Sequence, residues 1–317
     1  MLLLLMAVPV MGQDQDVDVS STEGALFLLL PVGAKSVALG RAMTAMDGAE
    51  SAFWNPAGLA SVQHSQLVLL RGDHLVGPST AISGLWTRPG VGALGASYLL
   101  LDAGDQELRD ANGNVLGNLT VRNHMGVVSA AAQVLDRLRA GVNLKAVVFR
   151  YSCQGQCLDA GTTATTYAVD AGLQALVTDR LRVGAVLAHL GPEFQVLNAE
   201  QADPLPARVR VGVAFDFMEE FTSDDQLSGW LSVEVQDRLR DPGTLSLYVG
   251  TELSAGVEDL LALRAGYVVG DQDQEEGARV GLGLSYEQFD LSIAKSLAVS
   301  TLTGETEPVQ VTFAIRF

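Results

Sequence analysis

Few residues in this 317-residue chain have the type and spacing that chemistry requires. The four histidines, His64, His74, His124 and His189, form no triad-like or metal-like grouping, and no serine lies in a Gly-x-Ser-x-Gly motif. The string Gly90-Val-Gly-Ala-Leu-Gly95 has the glycine spacing of a dinucleotide-binding loop, but it leads into a strand-like segment instead of a helix. The sequence therefore predicts a protein that is not an enzyme and has no metal or cofactor.

The composition favours a membrane protein without spanning helices. Hydrophobic residues make up 48% of the chain and charged residues only 18%, which is less charge than soluble domains carry. No apolar run reaches the roughly 18–20 residues that a spanning helix needs. The net charge of −17 argues against nucleic acid as a partner.

The longest apolar run lies at the start of the chain. Residues 1–12 have the apolar core of a secretory signal peptide, with Gly12 before the polar Gln13, but lack the basic residues that normally precede that core. We expect a signal peptide over 1–12 whose start is truncated or misassigned. Export also favours a small loop disulfide between Cys153 and Cys157, because no further metal ligands and no thioredoxin-like pattern accompany this pair.

From about residue 65 to the end, apolar side chains alternate with glycine, small polar and charged ones. The last segment is the clearest, with Val309, Val311, Phe313, Ile315 and Phe317 on one face. Segments of this kind recur about fourteen times, many are nine or ten residues long, and turn signals such as Asn112-Gly113 separate them. That length suits a tilted strand crossing the hydrocarbon layer of a membrane.

A soluble sandwich would bury the apolar face, whereas a membrane barrel turns it toward lipid. The number and length of the segments favour the barrel, and Phe317 at the chain end matches the terminal signal read by barrel-assembly machinery. We therefore expect an all-β, antiparallel transmembrane barrel of about fourteen strands over residues 65–317 in a bacterial outer membrane, with outer-membrane lipid and that machinery as partners. The charged residues expected to line the lumen, either pairing across strands or forming a substrate-selecting ring, are Arg139, Lys145, Asp170, Arg182, Arg208, Arg210, Asp216, Glu234, Glu252 and Arg264.

Residues 13–64 form a separate N-terminal segment in this interpretation. The spacing over Ala34–Met46 predicts one short helix, and Asn55-Pro56-Ala57-Gly58-Leu59 predicts a rigid turn just before the first strand. A turn at that position would direct the preceding residues into the lumen as a hatch.

This segment resembles the start of the PorV/PorQ family of outer-membrane barrels, which are related to the FadL fatty-acid transporters. The matching residues are Gly33, Ala34, Leu39-Gly40, Asp47 and Asn55-Pro56-Ala57-Gly58-Leu59, with Lys35 where the family has arginine. The closing strands around Arg264–Tyr267 and residues 277–289 also resemble the family.

The resemblance implies a fourteen-stranded barrel with an inward-folded hatch and a role in type IX protein secretion or surface attachment, with secreted cargo and secretion-system components as partners. Two alternatives remain open: a FadL-like channel for hydrophobic small molecules, and a structural barrel without a transport role. A channel needs an apolar pocket near the hatch, to which the inward Trp230 and Tyr248 are the sequence's candidate contributors.

Overall fold

The fold is taken from a computed structural model of the chain. It describes residues 23–157, 161–196, 202–222, 226–256, 260–270, 276–299 and 309–317. The expected signal peptide and residues 13–22 of the N-terminal segment lie outside these ranges. In the described part of the chain, no helix is both long enough and apolar enough to cross a bilayer.

Fourteen strands form one closed antiparallel barrel. The barrel strands are β1 (Gln66–His74), β2 (Gly77–Arg88), β3 (Gly92–Arg109), β4 (Val115–Leu135), β5 (Leu138–Gly155), β6 (Gly161–Leu176), β7 (Leu181–Leu190), β10 (Arg208–Asp216), β11 (Leu227–Arg238), β12 (Ser246–Ala255), β13 (Leu260–Val269), β14 (Gly277–Tyr286), β15 (Phe289–Ser296) and β16 (Val309–Arg316). A small hairpin between β7 and β10 consists of β8 (Phe194–Gln195) and β9 (Ala202–Asp203).

Closure joins the last strand to the first. β16 pairs with β1 from Gln66 opposite Arg316 to Gly72 opposite Gln310, and Phe317 N–H donates to Ser65 O at 2.8 Å. A closed sheet leaves no unpaired barrel edge within the hydrocarbon layer, which is the condition for a sheet to cross a membrane. The predicted fold class and strand number are confirmed.

The apolar face of the barrel points outward. β1 alternates buried and exposed residues along its whole length, and its exposed positions include Leu67 and Leu69. The outward aromatic residues lie toward the two ends of the wall, for example Tyr167 and Tyr267 toward one end and Trp86 toward the other. An apolar belt between aromatic girdles is the surface of an outer-membrane barrel, in agreement with the predicted location.

Connection lengths give the barrel an orientation. One end carries short turns, including 136–137 and 287–288, while the opposite end carries the longer connections 191–207 and 297–308. Outer-membrane barrels have short periplasmic turns and longer extracellular loops. We call these the inner end and the outer end respectively.

Two elements differ from the sequence prediction. The expected helix over Ala34–Met46 is only the five-residue α1 (Ala34–Ala38), because Gly40 and Arg41 adopt positive φ angles of 58° and 72°. The strand that the sequence predicts over residues 90–101 is longer, because β3 extends to Arg109. A bulge between Asp102 and Asp105 marks where β3 leaves its pairing with β2. The other helical elements of the described residues are short 3-10 helices over Leu26–Leu29, Ala49–Ala52, Pro56–Ser61 and Met218–Glu220.

The position of Phe317 leads to a prediction about assembly. Its side chain is 79% exposed on the outward face at the inner end, where an aspartate would place a charge against lipid and remove the terminal aromatic. We expect Phe317→Asp to lower the amount of heat-modifiable barrel in the outer membrane several-fold.

Phe221→Asp is the matched control, because Phe221 is equally exposed but lies in a turn at the same end. Equal assembly of Phe317→Asp and Phe221→Asp would contradict a special role for the terminal aromatic.

Candidate binding site in the plugged barrel

Residues 23–64 run down the inside of the barrel and fill most of the lumen; we call them the plug. The plug begins at the outer end, where Gly24 N–H donates to Pro204 O at 2.9 Å, and reaches the inner end before β1 starts at Gln66. Many of its apolar residues, including Leu39, Met43 and Leu59, are completely buried inside the barrel. The lumen is therefore a packed core over much of its length.

A buried carboxylate fixes the upper turn of the plug. Glu50 accepts hydrogen bonds from Lys35 N–H at 3.1 Å, Ser36 N–H at 2.8 Å and the Thr312 hydroxyl at 2.8 Å. Thr312 belongs to β16 and its Oγ1 also accepts from Ala34 N–H at 2.9 Å. The carboxylate leaves no room for a side chain at Gly33, where φ is +104°. The sequence analysis did not single out Glu50, although an acidic residue among the small and apolar residues 49–54 is a signal for such a buried partner.

Gly40 allows the plug to approach the wall closely. A Cβ atom there would lie 2.6 Å from the backbone nitrogen of Tyr267, and φ is +58°. On the wall, Gly250 and Gly266 face the backbone of Leu39 and Gly40 with no space for side chains. Glycine is therefore required on both sides of this contact.

The Asn-Pro-Ala-Gly-Leu segment is the lower anchor of the plug. Asn55 caps the 3-10 turn by accepting from Ala57 N–H at 3.1 Å, and its amide donates to Thr44 O at 2.7 Å and Leu173 O at 3.1 Å. Pro56 packs against Gly141 of β5, and Gly58 faces Ser51. Asn55, Pro56 and Gly58 thus hold this end of the plug against the wall and against the rest of the plug.

Asp47 makes the main ionic contact at the inner end. Its two oxygens bind Arg139 of β5 at 3.1 Å and Arg182 of β7 at 2.5 Å. Arg182 also stacks over the Trp230 ring, with its guanidinium carbon 3.9 Å from the ring centre. Trp230 is therefore engaged by an arginine at the inner end instead of lining an apolar pocket.

The predicted lumen charges all lie on the inward face of the wall, mostly paired with one another or with the plug. Lys145 binds Asp170 at 2.6 Å, and Glu252 binds both Lys35 of the plug and Arg264. The other contacts are Arg208 with Glu23 at 2.7 Å, Arg210 with Gln236 at 2.7 Å, Glu234 with Thr44 N–H at 2.7 Å and Asp216 with Met218 N–H at 3.0 Å. Lys145–Asp170 and Glu252–Arg264 join neighbouring strands of the wall, whereas most of the other contacts go to the plug. The choice between cross-strand pairing and a substrate-selecting ring stays a prediction.

Cys153 and Cys157 form a disulfide at the outer end of β5, with their Cα atoms 6.2 Å apart. The described residues contain no group of three or more histidine, cysteine or acidic side chains arranged to hold a metal ion.

An apolar space remains at the outer end between the plug and the wall; we call it the upper cavity. Its volume is about 670 Å³. It reaches the exterior, since Leu26 and Val76 on its lining are 54% and 49% exposed. The lining residues are Glu23, Gly24, Ala25, Leu26, Phe27, Leu29, Leu30, Val76, Leu101, Asn123, Phe149, Phe194, Val196 and Asp203.

Three aromatic rings shape the upper cavity. Phe149 of β5 and Phe194 of β8 meet edge to face, with their ring centres 6.2 Å apart, and Phe27 belongs to the plug. None of the ten predicted lumen charges lines this space. Tyr248 does not reach it either, because it is buried beside Arg41, whose guanidinium carbon lies 5.3 Å from its ring centre.

Two other spaces differ in character from the upper cavity. A pocket of about 20 Å³ lies behind Phe27, Leu29 and Leu30, and Arg41, Lys145 and Arg210 contribute to it. A groove of about 800 Å³ lies on the lipid-facing wall around Ala130–Ala132 and Ala171. That groove lies on the face that a barrel turns toward lipid, whereas the upper cavity opens at the outer end between the plug and the wall.

Solved structures of similar fold align with nearly the whole of this chain. The Ralstonia pickettii toluene transporter TbuX aligns over 90% of this chain and 98% of its own, with 17% identity and a TM-score of 0.61. The monoaromatic hydrocarbon channel CymD aligns over 91% and 98%, with 16% identity and a TM-score of 0.62. A Pseudomonas aeruginosa FadL homologue aligns over 91% and 99%, with 12% identity and a TM-score of 0.52.

The chain has the FadL-type barrel fold. No protein-family model and no curated protein sequence matches it. The predicted relation to FadL is confirmed at the level of fold, whereas none of these comparisons supports the PorV/PorQ assignment. The three structures are transporters, channels or their homologues by name. The expectation that this protein is not an enzyme stays a prediction.

The contacts of Asp47 with Arg139 and Arg182 predict that this residue helps to keep the lumen closed at the inner end. We expect Asp47→Asn to weaken docking of the plug by about 1 kcal/mol, the worth of a partly exposed charge-assisted contact. Open time and mean conductance across a planar bilayer should then rise several-fold.

Asp179→Asn is the matched control, because Asp179 pairs with Arg137 in an exposed turn at the same end. The docking role of Asp47 is wrong if Asp47→Asn conducts no better than Asp179→Asn.

Proposed function

We propose that this protein is an outer-membrane channel that takes up hydrophobic small molecules through the upper cavity. The observation that carries the proposal is the apolar cavity of about 670 Å³ at the outer end, bounded by the plug on one side and the wall on the other. Ligand pockets of about 300–1,000 Å³ with mainly apolar linings and few polar groups are typical of small-molecule sites.

The placement of the cavity supports uptake from outside the cell. Leu26 and Val76 make its mouth apolar and accessible, while Phe27, Leu29 and Leu30 form its floor. An apolar molecule that leaves water for this space gains about 25 cal/mol for each Å² it buries. The FadL-type fold, shared with a toluene transporter and a hydrocarbon channel, agrees with this proposal.

The secretion role implied by the PorV/PorQ resemblance has weaker support. That resemblance depends mainly on Gly33, Gly40, Asp47 and Asn55-Pro56, whose contacts dock the plug onto the wall. Such contacts account for the motif in any plugged barrel, with or without cargo. The same contacts leave open a structural barrel without transport, which the next experiment distinguishes.

Narrowing the mouth of the cavity tests the proposal. Val76 lies in the two-residue turn between β1 and β2, so Val76→Trp fills the opening without disturbing a strand. We expect the initial rate of uptake of radiolabelled naphthalene by intact cells to fall several-fold relative to wild type.

Val115→Trp serves as the control, because Val115 is exposed on β4 and lines no part of the cavity. Uptake by Val76→Trp at the wild-type rate would contradict the proposed route. Wild-type uptake no faster than that of cells lacking the protein would contradict transport altogether.

A further inference from the structure

The upper cavity contains one polar side chain whose hydrogen-bonding groups are left open. Asn123 of β4 is only 8% exposed and lines the cavity, yet its amide has no hydrogen-bond partner among the described residues. Its amide nitrogen and oxygen are not sealed off inside the protein, and the great majority of buried side-chain polar groups are paired with protein or water. The amide is therefore available to a molecule inside the cavity.

The other polar residues of the lining are differently placed. Both oxygens of Glu23 bind the Arg208 guanidinium at 2.7 Å, and Asp203 is likewise engaged within the protein. Glu23 and Asp203 contribute acidic groups to the rim. An anionic ligand would meet these carboxylates in a space of low polarity, where like charges repel strongly.

The positive groups nearby lie outside the upper cavity. Arg41, Lys145 and Arg210 line the smaller pocket on the far side of Phe27, Leu29 and Leu30. Lys145 is already paired with Asp170, and Arg210 with Gln236. An acid head group held among the apolar residues of the upper cavity would therefore find no free cation among the described residues that line it.

The volume limits the size of the occupant. A cavity of about 150 Å³ is sufficient to bind benzene, and the upper cavity is more than four times larger, at about 670 Å³. A single aromatic ring would leave most of the space unfilled, and much of the apolar lining would then make no van der Waals contact with the ligand. The cavity matches a molecule of several rings or a comparable branched skeleton.

We propose that the upper cavity selects a neutral apolar molecule larger than one aromatic ring that carries one hydrogen-bonding group, and that Asn123 pairs with that group. This proposal rests on the proposed function and names the substrate class for the same site. Asn123 is then a specificity-determining residue: apolar contacts supply most of the affinity, and the amide distinguishes an alcohol or ketone from the parent hydrocarbon.

Matched fluorescent probes test the proposal: pyrene, 1-pyrenemethanol and 1-pyrenecarboxylate, with toluene as a competitor. Dissociation constants are measured on the full-length protein in lipid nanodiscs, and the signal of empty nanodiscs is subtracted. For wild type we expect 1-pyrenemethanol to bind about fivefold tighter than pyrene, the worth of one net hydrogen bond. Pyrenecarboxylate should bind more weakly than both, and toluene should compete poorly.

Asn123→Leu replaces the amide with an apolar group of similar size. We expect it to abolish the preference for the alcohol and to leave pyrene binding unchanged or tighter. Asn118→Leu is the control, because Asn118 lies on the same strand but is exposed and lines no part of the cavity. Asn123→Ala replaces Asn123→Leu if the leucine variant loses heat-modifiable migration, the sign of a folded barrel.

The outcomes separate this proposal from the proposed function. If Asn123→Leu binds pyrene and keeps the wild-type preference for the alcohol, the role of Asn123 is wrong and the cavity remains a binding site. Tighter binding of the carboxylate than of the alcohol would overturn the substrate class. If wild type binds none of the probes above the level of empty nanodiscs, both proposals fail.

Discussion

Contact with lipid is the constraint on which the rest of this structure depends. The outward face of a closed barrel must be apolar, and in a strand the neighbouring residues then point inward. The lumen consequently receives glycine, small polar and charged side chains, including the fully buried Lys145, Asp170 and Glu234. The plug supplies partners for several of these groups and covers much of the polar wall. The need to pair the wall with the plug therefore explains most of the charged residues inside the barrel.

The plug needs both polar partners and close contact with the wall. Its backbone N–H groups, which would be costly to bury without acceptors, bind Glu50 and Glu234. Glycines on the wall, such as Gly250 and Gly266, let the plug backbone lie directly against the strands. At the outer end the apolar plug residues beyond this contact pack less closely against the wall, and the space between them is the upper cavity.

The barrel could be predicted from sequence because alternation is a local property. A period of two over the segment ending at Phe317 indicates a strand by itself, and the repeated segments give the strand number. The plug was predicted less accurately, because Gly40 and Arg41 end α1 through contacts with distant strands. The Asn-Pro-Ala-Gly-Leu motif can be recognised in the sequence. Its contacts, however, hold the plug against the wall, and they give no information about a role in secretion.

The upper cavity could not be predicted from sequence. It brings together Phe27 of the plug, Phe149 of β5 and Phe194 of the β8–β9 hairpin, which are far apart in the chain and belong to no shared pattern. Asn123 follows the same inward alternation as its neighbours on β4, and only its place beside the cavity distinguishes it.

The central claim is that apolar molecules bind inside the outer end of the barrel. A crystal structure of the protein soaked with 1-bromopyrene tests it directly, because anomalous scattering locates the bromine atom. We expect a bromine peak in contact with Phe27, Phe149 and Phe194 in the upper cavity. Bromine confined to the lipid-facing groove around Ala130–Ala132, with the upper cavity empty, would contradict the account.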